Sequence, residues 1–146
     1  MLTGQIKSPA DLDATDFRHS ESPIPALHSL LTSLYPLADP RYSAENFPLN
    51  LRLVERLSQL AADKAKALGR PVTPAAFCLA WVLYQGPDVF VIPGTRSVDR
   101  LRENLTAGKV LESFTKEDDE AVKAITKELG VVGERYMKAM MGMLDG

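Results

Sequence analysis

Residues 89–105 read VFVIPGTRSVDRLRENL, and this stretch decides how the rest of the chain is interpreted. The run VFVI, residues 89–92, is typical of a short strand that is buried on both faces of a sheet. Pro93 and Gly94 end the strand, and the pattern then predicts a helix from about Ser97 to Ala107. Such a turn exposes free backbone amides and the positive end of the helix dipole, so the stretch predicts an anion-binding site.

The polar side chains around this turn suit a phosphorylated nucleotide. Thr95 and Ser97 can donate hydroxyl hydrogen bonds, and Arg96 can bind a phosphate through two parallel hydrogen bonds. Arg96, Arg100 and Asn104 are four residues apart and therefore share one helix face. A guanidinium plane beside an amide suits an adenine ring, and an arginine near the ribose 2′-phosphate favours NADP over NAD.

The polar helix face has a second interpretation. Residues 100–104 taken alone would be a solvated face of an amphipathic helix, but the preceding strand and Pro-Gly-Thr turn favour a binding site. Val98, Leu101 and Leu105 lie on the opposite face. We expect these three to dock on a barrel or sheet.

Two helices are predicted upstream of this stretch. From Asn46 to Leu68 apolar residues recur at helical spacing, and Gly69 follows as a C-terminal stop. Thr73 is a suitable N-cap for the next helix, which has Pro74 in its first turn. Because this helix, PAAFCLAWVLY, is apolar nearly all round, we expect it to be buried.

A last helix is predicted from Thr115, where Thr115 and Asp118 form a variant of the capping box, to about Gly130. The acidic residues 117–120 lie at its start, where carboxylates interact favourably with the helix dipole, so no metal site is predicted. Cys78 lies within the apolar helix, where a buried small hydrophobic residue is a better interpretation than a nucleophile.

Composition excludes several classes of protein. The 146 residues fit one domain, and a hydrophobic content of 45% excludes wholesale disorder. Lys plus Arg number 17 against 19 Asp plus Glu, a net charge of −2 that argues against nucleic-acid binding. The single cysteine excludes a disulfide within the chain. No apolar run reaches membrane-spanning length and no signal peptide is visible, so we expect a cytoplasmic protein without a membrane partner.

The predicted secondary structure is unusual for a compact domain. Residues 1–48 are rich in proline and are interpreted as a long irregular loop. Three or four helices and one strand remain, and a single strand leaves its backbone amides and carbonyls without partners. The fold therefore looks incomplete, and its open strand edges predict self-association.

The stretch VFVIPGTRSVDRLRENLTA resembles the cofactor segment of the aldo-keto reductases, as does the upstream run NLRLVERLSQLAADKAKALGRPVTPAAFCLAWVLYQGPDV. The segments PRYSAENF and GERYM are also similar to that family, the latter to its pyridoxal and aldehyde reductase subgroup. The resemblance implies an α/β fold: the C-terminal fragment of a (β/α)8 TIM barrel, mostly helical as an isolated chain. Residues 1–146 would be a partial domain, with 11–45 a long loop that includes an insertion at 20–39.

The same resemblance implies NADP as cofactor and NADPH-dependent reduction of a small aldehyde or ketone substrate. The family's catalytic tyrosine, lysine, aspartate and histidine belong to motifs that this sequence does not contain, so no catalytic residue is assigned. A non-catalytic NADP-binding or interaction module and a gene-model fragment are the alternatives. By resemblance, cofactor contact falls to Gly94, Thr95, Arg96, Ser97, Arg100, Glu103 and Asn104.

Overall fold

The computed structural model describes residues 6–8, 11 and 40–134. The expectation of an insertion at 20–39, and most of the loop expected at 11–45, lie outside the described residues. Helical elements are the 3-10 helix Pro40–Tyr42 and the α-helices α1 (Asn46–Leu68), α2 (Pro74–Tyr84), α3 (Val98–Leu111) and α4 (Lys116–Leu129).

The chain divides into two compact units, which are described separately. The described part of one unit is residues 53–128, and that of the other is residues 6–8, 11, 40–52 and 129–134. No helix within the described ranges is long and apolar enough to cross a membrane.

The helix boundaries follow the capping residues that the sequence indicated. Gly69 adopts φ 61° directly after α1, and the Thr73 hydroxyl accepts a hydrogen bond from the amide of Ala76 at the start of α2. Before α4, the Thr115 amide donates to the Asp118 carboxylate at 2.8 Å, and the Asp118 amide donates back to the Thr115 hydroxyl at 3.3 Å. This reciprocal pair confirms the predicted capping box.

Helices α2 and α3 pack against each other within the unit of residues 53–128. The rings of Phe77 and Phe114 lie 5.2 Å apart at its centre. The expectation that α2 is buried all round is wrong: only Ala76, Phe77 and Ala80 of this helix are buried. The other apolar side chains of α2, among them Cys78, Leu79 and Val82, stay partly exposed.

The run VFVI does not form a strand. Residues 89–92 have no regular secondary structure, Phe90 is 82% exposed and Ile92 is 96% exposed, so the prediction of a strand buried on both faces is wrong. The physical reason is that a strand needs a hydrogen-bonded neighbour. The described ranges contain helices and no strand, so nothing there pairs with this segment.

The apolar face of α3 is likewise uncovered. Val98, Leu101 and Leu105 were expected to dock on a barrel or sheet, yet all three are exposed. Since the described residues form no sheet, this face has no surface on which to dock.

The buried carboxylate of Asp119, on α4, forms hydrogen bonds with side chains at the C-terminal end of α2. Asp119 is 8% exposed and accepts hydrogen bonds from Trp81 Nε1 at 2.9 Å and from Gln85 Nε2 at 3.2 Å. Lys123 Nζ donates to the same carboxylate at 2.7 Å. Chiefly because of that bond from Lys123, the pKa of Asp119 lies below its usual value.

A buried amide organises the other unit. Asn50 is 2% exposed, and its Nδ2 donates to the carbonyls of Arg41 at 3.0 Å and Val132 at 2.8 Å. Its Oδ1 accepts from the Val132 amide at 2.8 Å. The Asn50 side chain therefore connects residues 131–133 to the 3-10 helix and to α1 through hydrogen bonds.

Gly133 makes the close approach that this arrangement requires. It adopts φ 92°, and a Cβ atom there would lie 2.9 Å from the carbonyl carbon and oxygen of Pro40. The guanidinium Nε of Arg41 donates to the Gly133 carbonyl at 3.3 Å. Only glycine combines that φ with that spacing.

Candidate functional site

The turn before α3 is fixed by its own hydroxyl groups. The Thr95 hydroxyl accepts a hydrogen bond from the Ser97 amide at 3.1 Å and donates to the Ser97 carbonyl at 3.3 Å. The Ser97 hydroxyl accepts from the Arg100 amide at 3.4 Å as the N-cap of α3. Sequence reasoning assigned both hydroxyls to a phosphate, and the structure shows that they also shape the turn.

The first cavity of the site has a volume of about 230 Å³. One wall is the apolar face of α2, formed by Ala75, Cys78 and Leu79. The opposite side is polar and belongs to the turn and to α3. Its polar lining includes Thr95, Arg100, Glu103 and Asn104, with Pro93 and Gly94 at the turn.

A second cavity, of about 570 Å³, is open and polar. It is lined by Arg96 and Ser97 together with Gly94, Thr95 and Arg100, and the last three also line the first cavity. The two cavities therefore meet at the turn. The seven residues predicted from the sequence all line one cavity or the other, while their contact with a cofactor stays a prediction.

The charges around the second cavity favour an anion. Two guanidinium groups, Arg96 and Arg100, line it, and no carboxylate does so among the described residues. Arg102, the third arginine of this segment, lines neither cavity and forms an ion pair with Asp99 at 3.3 Å. Paired guanidinium groups at a helix N-terminus suit a phosphate.

The α2 wall was missed by sequence reasoning. Ala75, Cys78 and Leu79 are three and four residues apart, which places them on one side of α2. Because α2 is apolar all round, its pattern gave no signal for the side that faces the turn. Burial raises the pKa of Cys78 to about 11, so the thiol is protonated at neutral pH and contributes an apolar surface rather than a nucleophile.

The described residues contain no group of three or more side chains suited to holding a metal ion. The site therefore consists of an apolar wall, an amide, a carboxylate and two guanidinium groups. This donor set can hold a flat heterocycle against the wall and an anion beside it. It contains no tyrosine, lysine or histidine to move a proton.

Comparison with known proteins gives consistent results. Aldo-keto reductase str7 from Strobilurus tenacellus is 35% identical over 145 residues, which cover 99% of this chain and 35% of that protein. Aldo-keto reductase yakc [NADP(+)] from Schizosaccharomyces pombe is 36% identical over 138 residues, 92% of this chain and 32% of that protein. A Saccharomyces cerevisiae relative named for pyridoxal reduction is 32% identical over an alignment of 149 positions, gaps included. The alignment covers 95% of this chain and 36% of that protein.

The chain spans about a third of the length of these curated relatives. No solved structure matches it. The sequence profile of the aldo/keto reductase family matches residues 1–127, which include both cavities and the turn between them. The chain therefore belongs to the aldo/keto reductase family.

Proposed function

We propose that this chain is the nucleotide-binding portion of an NADPH-dependent aldo-keto reductase, an oxidoreductase that reduces aldehydes or ketones. The observation that carries the proposal is the pair of adjoining cavities at the Gly94–Ser97 turn. The first cavity has an apolar wall, and the second is lined by two guanidinium groups. Family membership supports a nicotinamide cofactor. The printed name of the Schizosaccharomyces pombe relative supports NADP in particular.

The donor set fits NADP. The adenine ring would lie in the first cavity between the α2 wall and Arg100, with its N6 and N7 edge on the amide of Asn104. Arg96 and Arg100 would bind the 2′-phosphate in the second cavity, where Ser97 can still donate its hydroxyl proton. When bound, NADPH supplies the hydride for carbonyl reduction, and these residues hold its adenosine half.

We assign no catalytic residue to the chain. The described cavities lack a group that could give a proton to a carbonyl oxygen, so we propose that the chain on its own binds the cofactor without turnover. The catalytic groups would belong to the part of the family's proteins that this chain does not match. A substrate in the full reductase would be a small carbonyl compound.

Calorimetric titration with NADPH and NADH tests this function. Charge-assisted hydrogen bonds are worth about 1.5–3 kcal/mol each, or about one to two decades of affinity, so NADPH should bind at least ten times more tightly. Arg96→Ala should remove most of that preference, whereas Arg102→Ala is the matched control and should retain it. Equal affinity for both cofactors, unchanged in Arg96→Ala, would refute the 2′-phosphate assignment. Rapid aldehyde-dependent oxidation of NADPH would refute the absence of turnover.

The exposed apolar side chains favour a second function, a non-catalytic interaction module that associates with another copy of the chain. Phe90, Ile92, Val98, Leu101 and Leu105 are all exposed. Covering these side chains with a partner would remove their apolar surface from water, which favours association.

A further inference from the structure

Helix α2 lines a cavity with one set of side chains and is held in place by another. Ala75, Cys78 and Leu79 form the wall of the first cavity. Trp81 and the capping residue Gln85 are four residues apart, so they share a side of the helix, and both donate hydrogen bonds to α4. The direction in which the wall points therefore depends on what holds Trp81 and Gln85.

A single oxygen atom holds both of these side chains. Asp119 Oδ1 accepts from Trp81 Nε1 at 2.9 Å and from Gln85 Nε2 at 3.2 Å. The other oxygen, Oδ2, accepts from Lys123 Nζ on the same helix at 2.7 Å. Because hydrogen bonds are directional, two donors one turn apart on one acceptor restrict the rotation of α2 about its axis. The Oδ2 contact places no such restriction on α2.

Ring packing on the same side of the helix restricts rotation less. The rings of Phe77 and Tyr84 each lie 5.2 Å from the ring of Phe114. Aromatic contacts are favourable over centroid distances of about 4.5–7 Å, so they tolerate a small rotation that would break a hydrogen bond. The carboxylate is thus the more exacting of the two contacts.

We propose that Asp119 is a positioning residue for the first cavity, because its Oδ1 atom sets the rotation of α2 through Trp81 and Gln85. Asp119 itself lines neither cavity, so it acts only through the helix. Cys78 lies one turn before Trp81, and a rotation of α2 moves both side chains together. The part of this inference that concerns nucleotide binding rests on the proposed function.

The reactivity of Cys78 tests the positioning without any nucleotide. Cys78 is the single cysteine of the chain, so its reaction with a coloured aromatic disulfide reports on the wall. Asp119→Ala removes Oδ1, and Cys78 should then react at least about tenfold faster, since two hydrogen bonds to a charged acceptor are lost. Asp119→Asn keeps Oδ1 and loses the charge, and its rate should stay within about threefold of the wild-type rate. Lys123→Ala removes only the donor to Oδ2 and should behave like Asp119→Asn.

Calorimetric titration with NADPH gives a second measurement. Asp119→Ala should weaken NADPH binding by at least about threefold, because the wall no longer lies against the ring, and Asp119→Asn should restore it. A faster reaction of Cys78 with unchanged NADPH affinity would overturn the link between Asp119 and binding. If the wild-type chain bound no NADPH, the proposed function would fail, and the Cys78 rates would still decide whether Asp119 positions α2.

Three outcomes of the thiol measurement would overturn the positioning role. The first is an unchanged Cys78 rate in folded Asp119→Ala. The second is equal acceleration in Asp119→Ala and Asp119→Asn, which would assign the effect to the lost charge. The third is a similar acceleration in Gly69→Ala, which lowers stability away from α2 and should leave the rate within about twofold.

Gln85→Ala decides the matter if circular dichroism shows that Asp119→Ala does not fold. Gln85 is exposed, so its replacement removes one bond to Oδ1 without opening a cavity in the core. Cys78 should then react about threefold faster, and an unchanged rate would overturn the inference.

Discussion

Replacing Asn50 with alanine is a direct test of the packing around the 3-10 helix. The amide side chain is 2% exposed and makes three hydrogen bonds, to the carbonyls of Arg41 and Val132 and from the amide of Val132. Asn50→Ala removes all three and leaves backbone polar groups without these partners. Residues 131–133 then lose the side chain that fastens them to the start of α1.

The expected loss can be calculated from these contacts. Each hydrogen bond contributes about 1 kcal/mol net, so Asn50→Ala should lower the free energy of unfolding by about 3 kcal/mol. The loss in free energy of unfolding can be larger, because each backbone group that stays buried without a partner costs about 1–3 kcal/mol. For a chain of about 150 residues, 1 kcal/mol corresponds to about 2–4 °C, so Tm should fall by about 6–12 °C.

Asn46→Ala is the matched control, because it makes the same chemical change on the same helix. Among the described residues, Asn46 Nδ2 donates to the Pro40 carbonyl alone, at 2.8 Å, so its loss should be about 1 kcal/mol. Guanidinium unfolding followed by circular dichroism gives both values from midpoint and slope. A loss below 1 kcal/mol for Asn50→Ala, or one equal to that of Asn46→Ala, would refute the reasoning.

Three further predictions concern other parts of the chain. Gly133→Ala, whose Cβ would lie 2.9 Å from Pro40, should cost at least about 2 kcal/mol. Gly69→Ala, at φ 61° in open space, should cost only about 1 kcal/mol, and equal losses in urea unfolding would contradict the close-contact argument. The lowered pKa of Asp119 contributes stability above about pH 4 that is lost as the pH falls through the folded-state pKa. Asp119→Asn should therefore destabilise the chain at pH 7 and progressively less below pH 4, and a pH-independent difference in Tm would count against this. The chain should self-associate in sedimentation velocity, and Leu101→Glu should shift it to monomer; a monodisperse wild-type monomer with a sharp melt would exclude self-association.

Local chemistry explains the features that the sequence predicted correctly. The C-terminal end of α1 depends on Gly69. The first residues of α2 and α4 depend on Thr73 and on the Thr115–Asp118 pair, and each of these signals acts within one helical turn. Such signals operate over three or four residues and need no tertiary information. The predicted end of α3 at Ala107 was too early: Gly108 follows it as a potential stop, but the helix continues through Gly108 to Leu111.

Features that depend on distant partners were not predictable in the same way. The pattern VFVI is suited to a buried strand, but burial requires neighbours that the described residues do not supply. The Asn50 bonds to Val132 join residues 82 positions apart, and no local signal marks such a pair. The α2 wall was hidden for a different reason, since a helix that is apolar on every side does not reveal the side that lines a cavity.

The candidate site forms although the strand before it does not, and the hydroxyl groups explain why. Thr95 bonds to the backbone of Ser97, and Ser97 caps α3, so the turn is held by contacts within six residues. The packing of α3 on α2 then sets Arg100 and Asn104 opposite the apolar wall. Neither step uses residues 89–92 as a paired strand. The adenosine site that we propose thus depends on local capping and one helix pair, and we expect it to persist whether or not the strand finds partners.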